Sequence, residues 1–223
     1  MISLLISLFA NLWIYKIFAV NFLLGTLVLL AAILLVKNNK FFLLLFIPVL
    51  FFQIQTTNRP SLTAISNDDR RIIDMRLRAY PYKFLRLGYW LEERKESIIF
   101  SRVVTNLFEN IDPNLYFFAN SPRQRVGIKE FEKFPYVLLP FFFLGVYSFF
   151  SKKDKLFWLM SFLVPITILS IIGSKNSLGP FSLFPFFVVS INEGFRKLQT
   201  KYLKIFIFVL VLVLIQIILY EIR

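Results

Sequence analysis

Ser66-Asn67-Asp68-Asp69-Arg70-Arg71-Ile72-Ile73-Asp74-Met75-Arg76-Leu77-Arg78 opens the polar part of a chain that is otherwise mostly apolar. The wider polar stretch, residues 56–133, separates an apolar block at residues 1–55 from another at 134–223. Its start reads as an amphipathic helix. Ser66 with Asp69 three residues on has the spacing of a capping box. Ile72, Ile73 and Leu77 fall on one stripe, with Arg70, Arg71, Asp74 and Arg78 mostly elsewhere. Pro81 ends that helix. Beyond it Tyr82, Phe84, Leu85, Tyr89 and Trp90 alternate with Lys83 and Arg86, the pattern of a helix lying among lipid headgroups. Glu92 to Glu96 is a solvated charge cluster. Ile98, Ile99, Val103, Leu107 and Phe108 predict another amphipathic helix, stopped at Asp112-Pro113.

Outward from this stretch the chain reads as a series of membrane segments. Residues 1–36 are too long for one perpendicular helix: about 50 Å at 1.5 Å per residue, against a hydrocarbon core of about 30 Å. Two segments, 3–19 and 22–36, turning near Asn21, fit better, with one long tilted helix as the alternative. Residues 41–54 form a third segment, with Pro48 inside it. After the polar stretch come 135–150, 156–172 with Pro165, 178–191 with Pro180 and Pro185, and 205–220. The two prolines predict an irregular sixth segment. The expected fold is therefore all-α, a polytopic membrane protein of about seven helices with an extracytoplasmic, amphipathic-helical loop.

Composition agrees. The 223 residues are 57% hydrophobic and include 29 Phe, with a mean hydropathy of +0.68. A soluble domain carries about 45–50% apolar residues. Cysteine and histidine are both absent, which excludes disulfides, thiolate or triad chemistry and His-ligated zinc. Acid–base work is left to Asp, Glu, Lys or Tyr. The net charge of +13 reads as short basic loops at a membrane surface rather than as a nucleic-acid footprint, because no nucleic-acid motif accompanies it.

Those basic loops also orient the chain. Lys37, Lys40, Lys152, Lys153, Lys155, Arg196, Lys197, Lys201 and Lys204 fall on one side only when seven segments are counted. Placed inside by the positive-inside rule, they put the amino terminus in the cytoplasm of a cell with this protein in its inner (plasma) membrane, and the long loop and carboxy terminus outside.

The candidate chemistry is sparse. Asp68 and Asp69 are close carboxylates at a helix start, readable as a base or as Mg²⁺ or Mn²⁺ ligands facing a diphosphate. They are also readable, more simply, as acids favoured by the dipole at a helix start. Arg123 and Arg125 after Pro122 suit bidentate phosphate contact. They also suit lipid headgroups or the nearby Glu130 and Glu132. Asn11 and Lys16 are polar groups within a membrane segment and so functional candidates, although Lys16 can snorkel to the interface. No Asp or Glu lies in the middle of any segment, which counts against an ion-coupled transporter.

One stretch carries a resemblance. Asn106-Leu107-Phe108, Asp112-Pro113-Asn114-Leu115-Tyr116-Phe117-Phe118 and Pro122-Arg123 lead into Phe134-Pro135-Tyr136-Val137-Leu138-Leu139-Pro140-Phe141-Phe142-Phe143-Leu144-Gly145. It resembles multi-pass bacterial glycosyltransferases of the dolichyl-phosphate-mannose mannosyltransferase type. The resemblance implies a polyprenyl-phosphate sugar donor and an acidic residue in an outer loop. That family's chains are longer, and its acidic motif follows the first helix, whereas Asp68-Asp69 here follows the third segment. A reduced relative is implied, with Asp68 or Asp69 as base or metal ligand and Arg123 and Arg125 on phosphate. The competing expectation is a non-enzymatic scaffold or assembly subunit of the envelope, with the loop as its docking surface.

Overall fold

The computed structural model describes residues 2–57, 67–92, 94–118, 131–150, 156–173, 176–197 and 200–222. Its elements are helical throughout: α1 (Ile2–Phe9), α2 (Leu12–Val20), α3 (Phe22–Val36), α4 (Phe42–Thr56), α5 (Asn67–Arg78), α6 (Leu85–Glu92), α7 (Lys95–Ile111), α8 (Asn114–Phe117), α9 (Leu139–Phe149), α10 (Leu156–Ile172), α11 (Phe184–Arg196) and α12 (Thr200–Ile222). Single 3₁₀ turns precede α6, α9 and α11.

The first apolar segment departs from expectation. Residues 3–19 are two helices, bent by 56° where α1 meets α2. Asn11 is the cause. Its Oδ1 accepts from the Ile14 N–H at 2.9 Å, capping α2, and its Nδ2 donates to the Leu8 carbonyl at 2.8 Å, closing α1. One side chain thus satisfies main-chain groups on both sides of the break. Asn21 caps α3 in the same way, through Leu24 N at 3.1 Å, so a single helix over 3–36 is excluded. Among the described residues no single helix is long and apolar enough to cross a membrane, and only the bent α1–α2 pair reaches that length and composition together.

The sixth segment departs differently. It is irregular only as far as Leu183. From Phe184 it is a regular helix, because Pro185 sits in the first turn, where a missing N–H costs nothing. This helix, α11, is the centre of the molecule: every residue from Phe184 to Phe195 is buried. It packs against α9, α3, α1 and α10, while α4 lies against α3 and α10, and α7 lies along α10.

Small residues allow the closest approach. A Cβ on Gly145 of α9 would strike the Ser190 carbonyl of α11, and one on Gly194 of α11 would strike the Phe141 carbonyl of α9. Ser190 and Gly194 are four apart, so both contacts lie on one face, the small-xxx-small arrangement of closely packed helices. Outside this core α5 packs on α6, and α6 on α7. Helix α5 ends at Arg78, just before Pro81, and α7 ends at Ile111, before Asp112-Pro113, as the sequence predicts.

Candidate functional site

The buried junction forms around Trp13. Its indole N–H donates to the Leu178 carbonyl at 2.7 Å. Its ring lies 5.7 Å from those of Tyr116, Phe134 and Phe184. The irregular chain before α11 is held by other side chains as well. Gln53 Oε1 accepts from Ser182 N at 3.1 Å, and Asn176 donates to Thr56 Oγ1 at 2.7 Å. Non-helical main chain needs such partners wherever water is excluded.

Lys133 is part of this junction and is fully buried. Its Nζ donates to the Leu115 carbonyl at 2.8 Å and lies 5.0 Å from the centre of the Phe131 ring. The Lys16 ammonium lies 3.9 Å from the same ring. Gly179, at φ +68°, makes room: a Cβ there would meet Lys133 Cε at 2.6 Å. Next to them Glu132 accepts from Tyr136 N at 3.0 Å. Burial pushes its carboxyl up to about 7, against the lowering effect of that hydrogen bond.

Two clefts open on either end of α7. The first, of about 730 Å³, lies between α5, α6 and α7 and has a mixed lining. It holds Arg76, Arg102, Glu92 and Glu96 together with Ser97, Ser101, Thr105 and Asn106. Ser97, Ser101 and Thr105 are spaced by four and so form a hydroxyl stripe on α7. Glu92 is fixed by Arg76 at 3.4 Å and by the Tyr80 hydroxyl at 3.2 Å. Burial and then the Glu92 carboxylate hold the Tyr80 phenol above its usual range.

The second cleft, of about 430 Å³, is bounded by α9, α10 and α11 and ends at Asn110, Ile111 and Pro113. Phenylalanines dominate its wall, among them Phe142, Phe149, Phe162 and Phe187. Asn106 and Asn110 are one turn apart on α7, and Asn110 Nδ2 donates to the Asn106 carbonyl at 2.7 Å. Asn106 Nδ2 in turn donates to the Ser170 carbonyl of α10 at 3.0 Å. The mixed cleft therefore reaches α7 one turn above the apolar one.

Asp68 and Asp69 occupy the first turn of α5, as read from sequence, but their side chains lie outside the described residues. Arg123 and Arg125 lie outside them entirely, as does Ser66. Among the described residues no group of three acidic side chains is placed to hold a metal ion. The polar groups that do come together are Arg76, Arg102, Glu92 and Glu96. The hydroxyl stripe of α7 signals this face in the sequence, on the side opposite Ile99, Val103 and Leu107. No known protein family, curated protein or solved structure matches this chain. Fold and site thus define an all-helical protein with a buried central helix and two adjoining clefts, one with a mixed lining and one apolar.

Proposed function

We propose that the chain is a polytopic membrane protein handling a polyprenyl-phosphate-linked sugar at the outer face of the cell membrane, in the manner of the glycosyltransferases it resembles. In this reading the seven segments are α1–α2 as one broken span, then α3, α4, α9, α10, α11 and α12. Large apolar side chains on outward faces favour it, such as Leu44, Ile47 and Phe51 on α4 and Phe208, Leu212 and Leu219 on α12. Surfaces of that kind are a liability in water and ordinary in lipid. A 15-residue helix such as α3 spans about 22 Å, short of a core of about 30 Å. A thinned bilayer or tilted and snorkelling flanks accommodate the difference.

The mixed cleft carries the functional reading. Two guanidiniums, two carboxylates and a row of hydroxyls are the groups that hold a phosphate and a sugar. Arg76, 58% exposed, is free to swing from Glu92 toward a phosphate. Ser97, Ser101 and Thr105 offer hydrogen bonds to sugar hydroxyls. Asp68 and Asp69, in the first turn of α5, are the carboxylates proposed as base or as ligands for Mg²⁺ or Mn²⁺, with Arg123 and Arg125 as further phosphate groups.

A second reading, a non-enzymatic envelope scaffold, is favoured by a different observation. Tyr82, Phe84, Leu87 and Trp90 are all exposed around the start of α6. They suit either a lipid surface or a partner protein. Lipid extraction from the purified protein tests the first reading. A polyprenyl phosphate that co-purifies with wild type and is lost from Arg76→Ala/Arg102→Ala or Arg123→Ala/Arg125→Ala supports it. Bulk phospholipid alone in every sample overturns it and leaves the scaffold.

A further inference from the structure

Helix α6 has one face turned in and one left open. Gly88 is buried against α5, where a Cβ would meet the Tyr80 ring at 3.0 Å and Leu77 at 3.3 Å. Glu92, one turn on, is bonded by Arg76 and by the Tyr80 hydroxyl. The opposite side of the helix holds Arg86, Leu87 and Trp90, with Lys83 and Phe84 of the preceding turn beside them. All five are exposed, Leu87 by 50%, Trp90 by 51% and Phe84 by 57%. Arg94, also exposed, reaches back so that its guanidinium lies 4.6 Å from the centre of the Trp90 ring.

Charge says what lies against this face. Residues 75–91 contain four Lys or Arg and no Asp or Glu. Arg76 is taken by Glu92, but among the described residues no carboxylate pairs with Lys83 or Arg86. Their charges are therefore left for something outside the chain. A partner protein would have to offer a row of carboxylates interleaved with an apolar seat. An anionic bilayer offers both in layers: phosphate outside, hydrocarbon just beneath. The stems of Lys83 and Arg86 can lie along the apolar layer while their heads reach phosphate. Trp90 suits the boundary between the two layers, and Phe84 and Leu87 the depth of about 5–10 Å to which in-plane helices sink.

We infer that the outer face of α6, from Lys83 to Trp90, seats on a bilayer surface of anionic phospholipid, which zwitterionic lipid does not replace. This chooses one of the two occupants open to these side chains and adds a requirement for lipid charge. It goes beyond the sugar-phosphate reading, which concerns the cleft whose wall includes Leu91 and Glu92. It shares with that reading only the membrane setting.

The test places a nitroxide on Leu87→Cys of the full chain, which has no native cysteine, in two kinds of nanodisc. One is phosphatidylcholine alone, the other phosphatidylcholine mixed with phosphatidylglycerol. In the mixed discs the label should meet dissolved oxygen more than an aqueous nickel chelate, and in phosphatidylcholine the reverse. Each basic group at an anionic surface is worth about fivefold, so Lys83→Ala/Arg86→Ala should lower the ratio of seated to free face on the order of thirtyfold. High salt should act in the same direction. A label open to nickel in the mixed discs overturns the inference, as does equal burial in both lipids. Protection in native membranes but not in the mixed discs also overturns it and points to a protein partner. The comparison of the two lipids stands alone if the double variant fails to fold. Loss of polyprenyl phosphate from the arginine variants bears on the cleft only, so the two readings fail separately.

Discussion

Asn11→Ala should be far more damaging than its sequence position suggests, and Asn21→Ala provides the control. Both side chains cap a helix by accepting from the N–H three residues on, at 2.9 and 3.1 Å. The two sites differ in burial and in what the second amide atom does. Asn11 is 1% exposed, and its Nδ2 donates to the Leu8 carbonyl at 2.8 Å. Removing it orphans the Ile14 N–H and the Leu8 carbonyl, both away from solvent. At about 1–3 kcal/mol for each of the two buried orphans, the loss is about 2–6 kcal/mol. Asn21 is only half-buried, and its loss is that of an ordinary cap, about 1 kcal/mol. Reversible unfolding in mixed micelles at increasing dodecyl sulfate, followed by fluorescence of Trp13 and Trp158, measures both. Equal losses for the two variants would refute the claim that the break in the first segment is held by a buried two-sided cap.

Other perturbations probe the rest of the fold. Gly194→Leu places a side chain where the Phe141 carbonyl already lies. Overpacking of that kind costs about 1–3 kcal/mol or more, seen as a lowered unfolding midpoint, whereas Val211→Leu on the exposed face of α12 should leave it unchanged. Gln53→Leu strips the Ser182 N–H of its partner and should cost about 1–3 kcal/mol, read as faster hydrogen exchange across 178–183. Glu132 gives a pH signature. Burial pushes its carboxyl up from the ordinary 4.5 to about 7, so the folded state holds the proton more tightly than the unfolded chain. Stability is then greatest below about pH 4.5, falls as pH rises toward 7 and is flat above. Glu132→Gln should flatten that profile in pH-dependent unfolding.

How much of this was legible in the sequence depends on what each residue signals locally. Helices α5, α7 and α10 were readable because periodicity and the stops at Pro81 and Asp112-Pro113 are local. The break at Asn11 was not. A single Asn in an apolar run gives no period, and its effect needs the α1 and α2 termini it bridges. The centrality of α11 was also hidden. Pro180 and Pro185 read as disruption, while the feature that decides its place is the match of Ser190 and Gly194 to Phe141 and Gly145, some fifty residues earlier. At the site, Glu92 and Glu96 read as a solvated cluster, because nothing local says that Arg76 and Tyr80 fold back onto Glu92. Lys133 carries no sequence signal of burial, since its seat is made by Gly179 and the Leu115 carbonyl. Asp68, Asp69, Arg123 and Arg125 remain the proposal of sequence and resemblance.

The absence of native cysteine makes the central claim, a membrane protein with α5–α7 on the outer face, directly measurable. Single cysteines at Tyr82, Asn38 and Lys197 are treated in intact cells with a membrane-impermeant maleimide, then again after permeabilisation. Tyr82→Cys should label in intact cells, and Asn38→Cys and Lys197→Cys only after permeabilisation. Labelling of Asn38→Cys in intact cells while Tyr82→Cys stays protected would contradict the orientation. Recovery of the protein in the soluble fraction would contradict the membrane setting itself.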